Sequence, residues 1–117
     1  MFSISHGRYF LYSQPTDMRK SFDGLCGIIT SKMNQHAMRG DLFIFINKKR
    51  NRLKMLRWET GGFVLFYKRL EKGTFKWPSS AQGETLNVDE RQLRWLLDGL
   101  TLVQSEAYRP VDERIIV

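Results

Sequence analysis

The sequence predicts an α+β fold, an antiparallel β-meander of about five strands packed with two helices in a single compact domain. Three observations lead there. The length of 117 residues suits one hydrophobic core. Two stretches carry apolar residues at helical spacing. Between them, from Asp41 to Trp77, β-branched and aromatic residues dominate and glycine-bearing turns punctuate the run. No internal repeat or low-complexity tract interrupts this pattern.

Arg8 to Ser13 is the expected first strand, rich in aromatics (Tyr9, Phe10, Tyr12) and stopped by Pro15, which has no amide hydrogen to give a ladder. A helix follows, with Thr16 as its N-cap and Met18, Phe22, Leu25, Ile28 or Ile29, and Met33 along one face. Gly24 and Gly27 lower its propensity and point to close packing against a neighbour. Four strands come next: Asp41 to Ile46, Arg52 to Trp58, Phe63 to Leu70 and Thr74 to Trp77. Their connections are a basic tip at Asn47 to Asn51, a Thr60-Gly61-Gly62 turn, and Glu71-Lys72-Gly73 with glycine where a left-handed residue is wanted. Residues 78–86 read as an exposed loop. The second helix is expected to start at Asn87, with Glu90 completing a capping box, Leu93, Trp95, Leu96 and Leu97 on its apolar side, and Gly99 at its stop. Leu100 to Val103 would add one more strand and close the domain at residue 103, leaving 104–117 as a C-terminal tail.

Nineteen Lys and Arg against twelve Asp and Glu give a net charge of +7, and the excess is uneven. The chain through Trp77 carries the positive field, and the remainder is mildly acidic. Such a balance suits a polyanionic partner. Lys48, Lys49, Arg50, Arg52, Lys54 and Arg57 crowd into and just after the predicted hairpin tip, where a ribbon of cations can follow a phosphate backbone. The plainer reading is a Lys-rich hairpin that blocks edge pairing and keeps the protein in solution. Arg19 and Lys20 sit in the expected first turn of helix one, where the helix dipole disfavours cations. Either an anion binds there or Asp17 and Asp23 neutralise the pair. Lys68 and Arg69, with Phe66, Tyr67, Phe75 and Trp77 nearby, offer a stacking platform for unpaired bases or, alternatively, ordinary core aromatics.

Catalysis finds no foothold. His6, His36 and Cys26 stand apart with no metal-ligand spacing, and Asp17, Asp23 and Asp41 carry no signature of a divalent-metal site. No glycine-rich nucleotide loop is present. A single cysteine rules out an intrachain disulfide, and no apolar run is long enough to cross a bilayer. The N-terminal residues lack a secretory pattern, so a cytoplasmic protein without cofactor, metal, membrane partner or small-molecule substrate is expected. Nothing in the sequence sets an oligomeric state.

Two segments carry a family likeness: Gln14-Pro-Thr-Asp-Met-Arg-Lys-Ser-Phe-Asp-Gly-Leu25, and Gly40 to Pro78 with Leu42-Phe-Ile-Phe, Asn47-Lys-Lys-Arg-Asn-Arg-Leu-Lys, Tyr67-Lys-Arg-Leu-Glu-Lys-Gly and Phe75-Lys-Trp-Pro78. Together they resemble the second-open-reading-frame (TnpB) accessory proteins of the insertion sequence 66 family. The likeness runs from about Arg8 to Leu100. Ser13-Gln14 stands where the family often has Cys-Gly, and Ser21 where it often has Gly. The resemblance implies a non-catalytic helper in DNA transposition, encoded beside a separate transposase. Two molecular roles fit: direct DNA binding through the basic hairpin, or a protein–protein adaptor for the transposase that does not itself touch DNA.

Overall fold

The central strands are β1 (Tyr9–Tyr12) and β2 (Leu42–Ile46), in which every residue is buried. Their sequences, YFLY and LFIFI, are apolar without alternation because both faces of the sheet are covered at this point. The structure, a computed structural model, describes residues 7–78 and 85–98. Its five-stranded sheet also contains β3 (Arg52–Glu59), β4 (Gly62–Arg69) and β5 (Thr85–Val88), in the order β4-β3-β2-β1-β5. Helix α1 (Phe22–Ser31) lies over one face, and helix α2 (Glu90–Leu97) packs on the other.

Each face has its own core. Leu25 and Ile29 of α1, with Met33 just beyond it, meet Phe10, Tyr12, Phe43, Phe45 and Leu56. Phe10 stacks on Phe43 with ring centroids 5.6 Å apart, a cross-strand contact that adds to simple burial. On the opposite face Leu93 and Leu96 of α2 join Leu11, Leu42, Ile44, Leu53 and Met55, and Phe75 and Trp77 fill the remainder. The α+β class and the two helices match expectation, but the sheet is mixed: β1 runs parallel to β2, Tyr9 opposite Leu42, while its other pairings are antiparallel. The reason is the helix between them. A strand, a covering helix and a second strand return the chain in its original direction, which a hairpin cannot do.

Four further expectations are corrected. Thr16 does not cap α1; its amide donates to the carbonyl of Ile46 at 2.7 Å, so it continues the β1 path, and α1 starts later with Ser21 in the N-cap position. Thr74 to Trp77 is no strand, because the Trp77 amide donates to the Phe75 carbonyl, a γ-turn bond that bends the chain out of ladder geometry. Asn87 belongs to β5, pairing with Phe10, so Thr85 and Leu86 are strand and not loop. The cap of α2 is Asp89, with Gln92 completing the capping box. Of the two helix glycines, Gly24 is closely packed: a Cβ there would meet the Lys20 Cβ at 3.1 Å, whereas Gly27 faces open space. The expected strand at Leu100 to Val103 and the tail 104–117 lie outside the described residues.

Candidate nucleic-acid interface

The β2–β3 hairpin tip is held rigid by one side chain. The Oδ1 of Asn47 accepts from the amides of Asn51 and Arg52, both at 3.0 Å, and its Nδ2 donates to Asn51 Oδ1 at 2.8 Å. A backbone bond from Arg50 to the Asn47 carbonyl closes the turn, and Arg50 then takes a left-handed conformation with φ 61°. Neighbouring chain locks the tip from behind: the Phe75 amide donates to the Arg50 carbonyl and the Leu70 amide to the Asn51 carbonyl. Lys48, Lys49, Arg50 and Arg52 project from this frame, all exposed, and no carboxylate among the described residues pairs with them.

A second element comes up beside the tip. Residues 15–20, between β1 and α1, form an Asx turn in which Asp17 accepts the Arg19 amide at 2.9 Å and clamps the Arg19 guanidinium at 2.6 Å. These bonds to Arg19 hold the Asp17 carboxyl down at about 2, well below its ordinary range. The turn is fastened to the sheet by Lys54. Its Nζ donates to the carbonyls of Met18 and Lys20, both at 2.7 Å, and stands 5.3 Å from the centroid of the Tyr67 ring. Between the turn and the tip lies an open groove of ≈ 560 Å³ with Pro15, Met18 and Tyr67 among its walls and Lys48, Lys49 and Arg52 at its rim.

The register explains why this end of the sheet is electropositive. On β3 and β4, Leu56, Leu65 and Phe63 face α1, and two residues further along the same face come Lys54 and its cross-strand partner Tyr67, then Arg52 opposite Arg69. Like charges directly opposite one another destabilise a ladder by several tenths of a kcal/mol.

The ten basic residues singled out from the sequence thus divide. Lys48, Lys49, Arg50 and Arg52 are free at the tip, and Lys20 is exposed beside α1. Arg19 and Arg69 reach solvent but are paired, with Asp17 and with Glu71 at 3.0 Å. Three are structural. Lys54 is only 9% exposed, Arg57 is 4% exposed on the opposite face and pairs with Glu59 at 3.4 Å, and Lys68 donates to the Leu97 carbonyl at the end of α2. The expected stacking platform shrinks to one ring, since Phe75 and Trp77 are core and Phe66 packs against it. The three aspartates do not converge either: Asp41 is bound by Arg8, Asp17 by Arg19, and no three His, Cys, Asp or Glu among the described residues are placed to hold a metal. Sequence reasoning missed the 15–20 turn as a groove wall. The available signal was Lys54, an inward lysine on an apolar strand that had to find acceptors.

A family model described as IS66 Orf2 like protein matches residues 7–107. The chain belongs to the IS66 Orf2-like family. That membership links it to insertion-sequence elements and an accessory role in transposition, as the motifs around Asp17 and Asn47 led one to expect. Two relatives come from Sinorhizobium fredii (strain NBRC 101917 / NGR234). One, named uncharacterized protein y4hO, is 34% identical over 105 residues, covering 88% of this chain and 90% of that protein. Another, uncharacterized protein y4jC, is 31% identical over 93 residues, covering 80% and 79%. No solved structure matches the chain. No helix among the described residues of this Orf2-like protein is long and apolar enough to cross a membrane.

Proposed function

We propose that the protein is a non-catalytic, cytoplasmic accessory factor that binds DNA during transposition, gripping the phosphate backbone with the β2–β3 tip. One observation carries this reading: four cations without a carboxylate partner among the described residues stand on a hairpin braced by side-chain and backbone bonds, and three of them, Lys48, Lys49 and Arg52, rim a groove whose far wall comes from another part of the chain. A braced backbone spares the tip the cost of ordering its chain on meeting a phosphate, so these cations contribute more than the same charges on a mobile loop. The element's transposase is the expected protein partner, working on the same DNA.

The test is a titration of duplex DNA at several salt concentrations with the wild type and with a variant carrying Glu at Lys48, Lys49, Arg50 and Arg52. Four phosphate contacts give log K against log[salt] a slope of about −3 to −4, and the variant should lose most of both slope and affinity. Unchanged salt-dependent binding by the variant would remove the tip as the contact surface. Absence of DNA binding by the wild type, together with nuclease-resistant capture of the transposase, would establish the adaptor role in its place.

A further inference from the structure

Building on the nucleic-acid reading, we propose that the groove between the 15–20 turn and the hairpin tip seats an unpaired nucleotide, its base on Tyr67 and its phosphates on Lys48, Lys49 and Arg52. Tyr67 is 49% exposed on β4, although its apolar neighbours on that strand, Phe63, Leu65 and Phe66, are drawn toward the cores. It lines the groove. The ring also has a tethered neighbour: Lys54 sits 5.3 Å from its centroid with its ammonium tied to two carbonyls, a cation–π contact that favours this placement of the ring.

The lining decides between duplex and single strand. A surface that only tracks a duplex backbone needs cations and polar donors, whereas this groove sets Pro15, Met18 and an aromatic ring inside a basic rim, and the one carboxylate in its lining, Asp17, is neutralised by Arg19. Apolar floor with charged edge is the complement of one nucleotide, a flat base joined to a charged backbone. In a duplex the base faces are covered by their neighbours, and a ring in a groove cannot reach them. An unpaired base presents that face. The volume of ≈ 560 Å³ falls inside the range of about 300–1,000 Å³ usual for sites that enclose a small organic group. Asn47 and Asn51 also line this groove, but both polar atoms of the Asn47 amide and the Oδ1 of Asn51 are engaged within the turn, so the site favours stacking over reading of a particular base.

The experiment compares fluorescence anisotropy of three labelled probes of equal length at one salt concentration: an oligothymidylate, an abasic phosphodiester strand and a duplex. The full chain is used as wild type, Tyr67→Phe and Tyr67→Leu, each checked by thermal melting. The wild type should prefer the oligothymidylate over the abasic strand by about 5- to 100-fold, and Tyr67→Phe should keep that preference. Tyr67→Leu should reduce the oligothymidylate to the abasic level while leaving duplex binding unchanged. Equal wild-type binding of the base-bearing and abasic strands would overturn the stacking site and leave backbone binding intact, and so would a preference that survives in Tyr67→Leu. Failure to bind any probe at low salt would overturn the nucleic-acid reading as a whole.

Discussion

Lys54 separates a cation that builds the fold from cations that serve a partner. Its Nζ donates two bonds of 2.7 Å to the Met18 and Lys20 carbonyls, and these bonds fasten the 15–20 turn across β3. Hydrogen bonds from a charged donor contribute about 1.5–3 kcal/mol each, so the pair is worth roughly 3–6 kcal/mol before burial of the ammonium offsets part of it. Lys54→Met keeps the aliphatic stem and removes both bonds, leaving two carbonyls without their donor. The expected net loss is about 2–4 kcal/mol, a fall in melting temperature of roughly 6–20 °C for a domain near this size. Urea unfolding followed by circular dichroism reads the same loss as a lower midpoint at unchanged slope. Lys54→Arg should recover only part of the stability, because the guanidinium fork cannot converge on two carbonyls as a single ammonium does. The paired Lys48→Ala, Lys49→Ala variant should stay within about 0.5 kcal/mol of the wild type. A Lys54→Met protein as stable as the wild type would refute the structural role given to this residue.

Three further substitutions probe the same region. Arg50→Gly removes a non-glycine residue from a left-handed conformation at φ 61° and should leave stability unchanged or raise it by up to about 1 kcal/mol, while DNA affinity falls; melting and titration of one sample show both. Asn47→Ala strips the acceptor shared by the Asn51 and Arg52 amides and should destabilise by about 1–2 kcal/mol in urea unfolding, with fast amide exchange at those two positions. Asp17→Asn releases Arg19 into the groove while keeping an acceptor for the turn, so DNA should bind more tightly and the salt slope should steepen by about one unit. Because the Asp17 carboxyl is held at about 2, its contribution is present above its unfolded value near 3.8 and is lost only as pH falls through about 2. The difference between wild type and Asp17→Asn should therefore be the same at pH 5 and pH 8.

The body of α1 and the strands and turns from Asp41 to Leu70 were readable because local signals and the tertiary outcome agree there: the Asp41–Ile46 run, the glycine turn at Gly61 and the apolar face of Leu25 and Ile29 all point one way, whereas the start of α1 was not, since Thr16 looks like a cap and is drawn into a backbone bond with Ile46. The parallel pairing of β1 with β2 does not show in periodicity, which reports only which face a residue takes; its signal was the strand–helix–strand order, which returns the chain in its original direction. Asn87 misled for a related reason. An Asn followed three residues later by Glu looks like a capping box, and only its partner Phe10, far away in the chain, makes it a strand residue. The basic cluster was legible as composition, but the sequence could not show which members face water. Leu53-Lys54-Met55-Leu56-Arg57 alternates across a sheet covered on both sides, so Lys54 and Arg57 go inward on opposite faces and are consumed by the fold.

What remains exposed is concentrated at one end of one sheet face, and that placement is informative. At the Gly61 end of β3 and β4 every local choice favours stability: Trp58 and Phe63 meet edge to face at 4.9 Å, and Leu56 and Leu65 lie under α1. At the Asn47 end the chain accepts a left-handed arginine, an Arg52–Arg69 like-charge pair, and four cations without carboxylates among the described residues. Each departure costs stability, and relief was close at hand in a glycine at 50 or a glutamate at 52. Local conflicts gathered in one patch of an otherwise consistent fold mark the place where sequence serves something besides folding. The braces under that patch, from Asn47, Phe75 and Lys54, keep the repelling charges from spreading apart, so the positive field stays aimed at the groove.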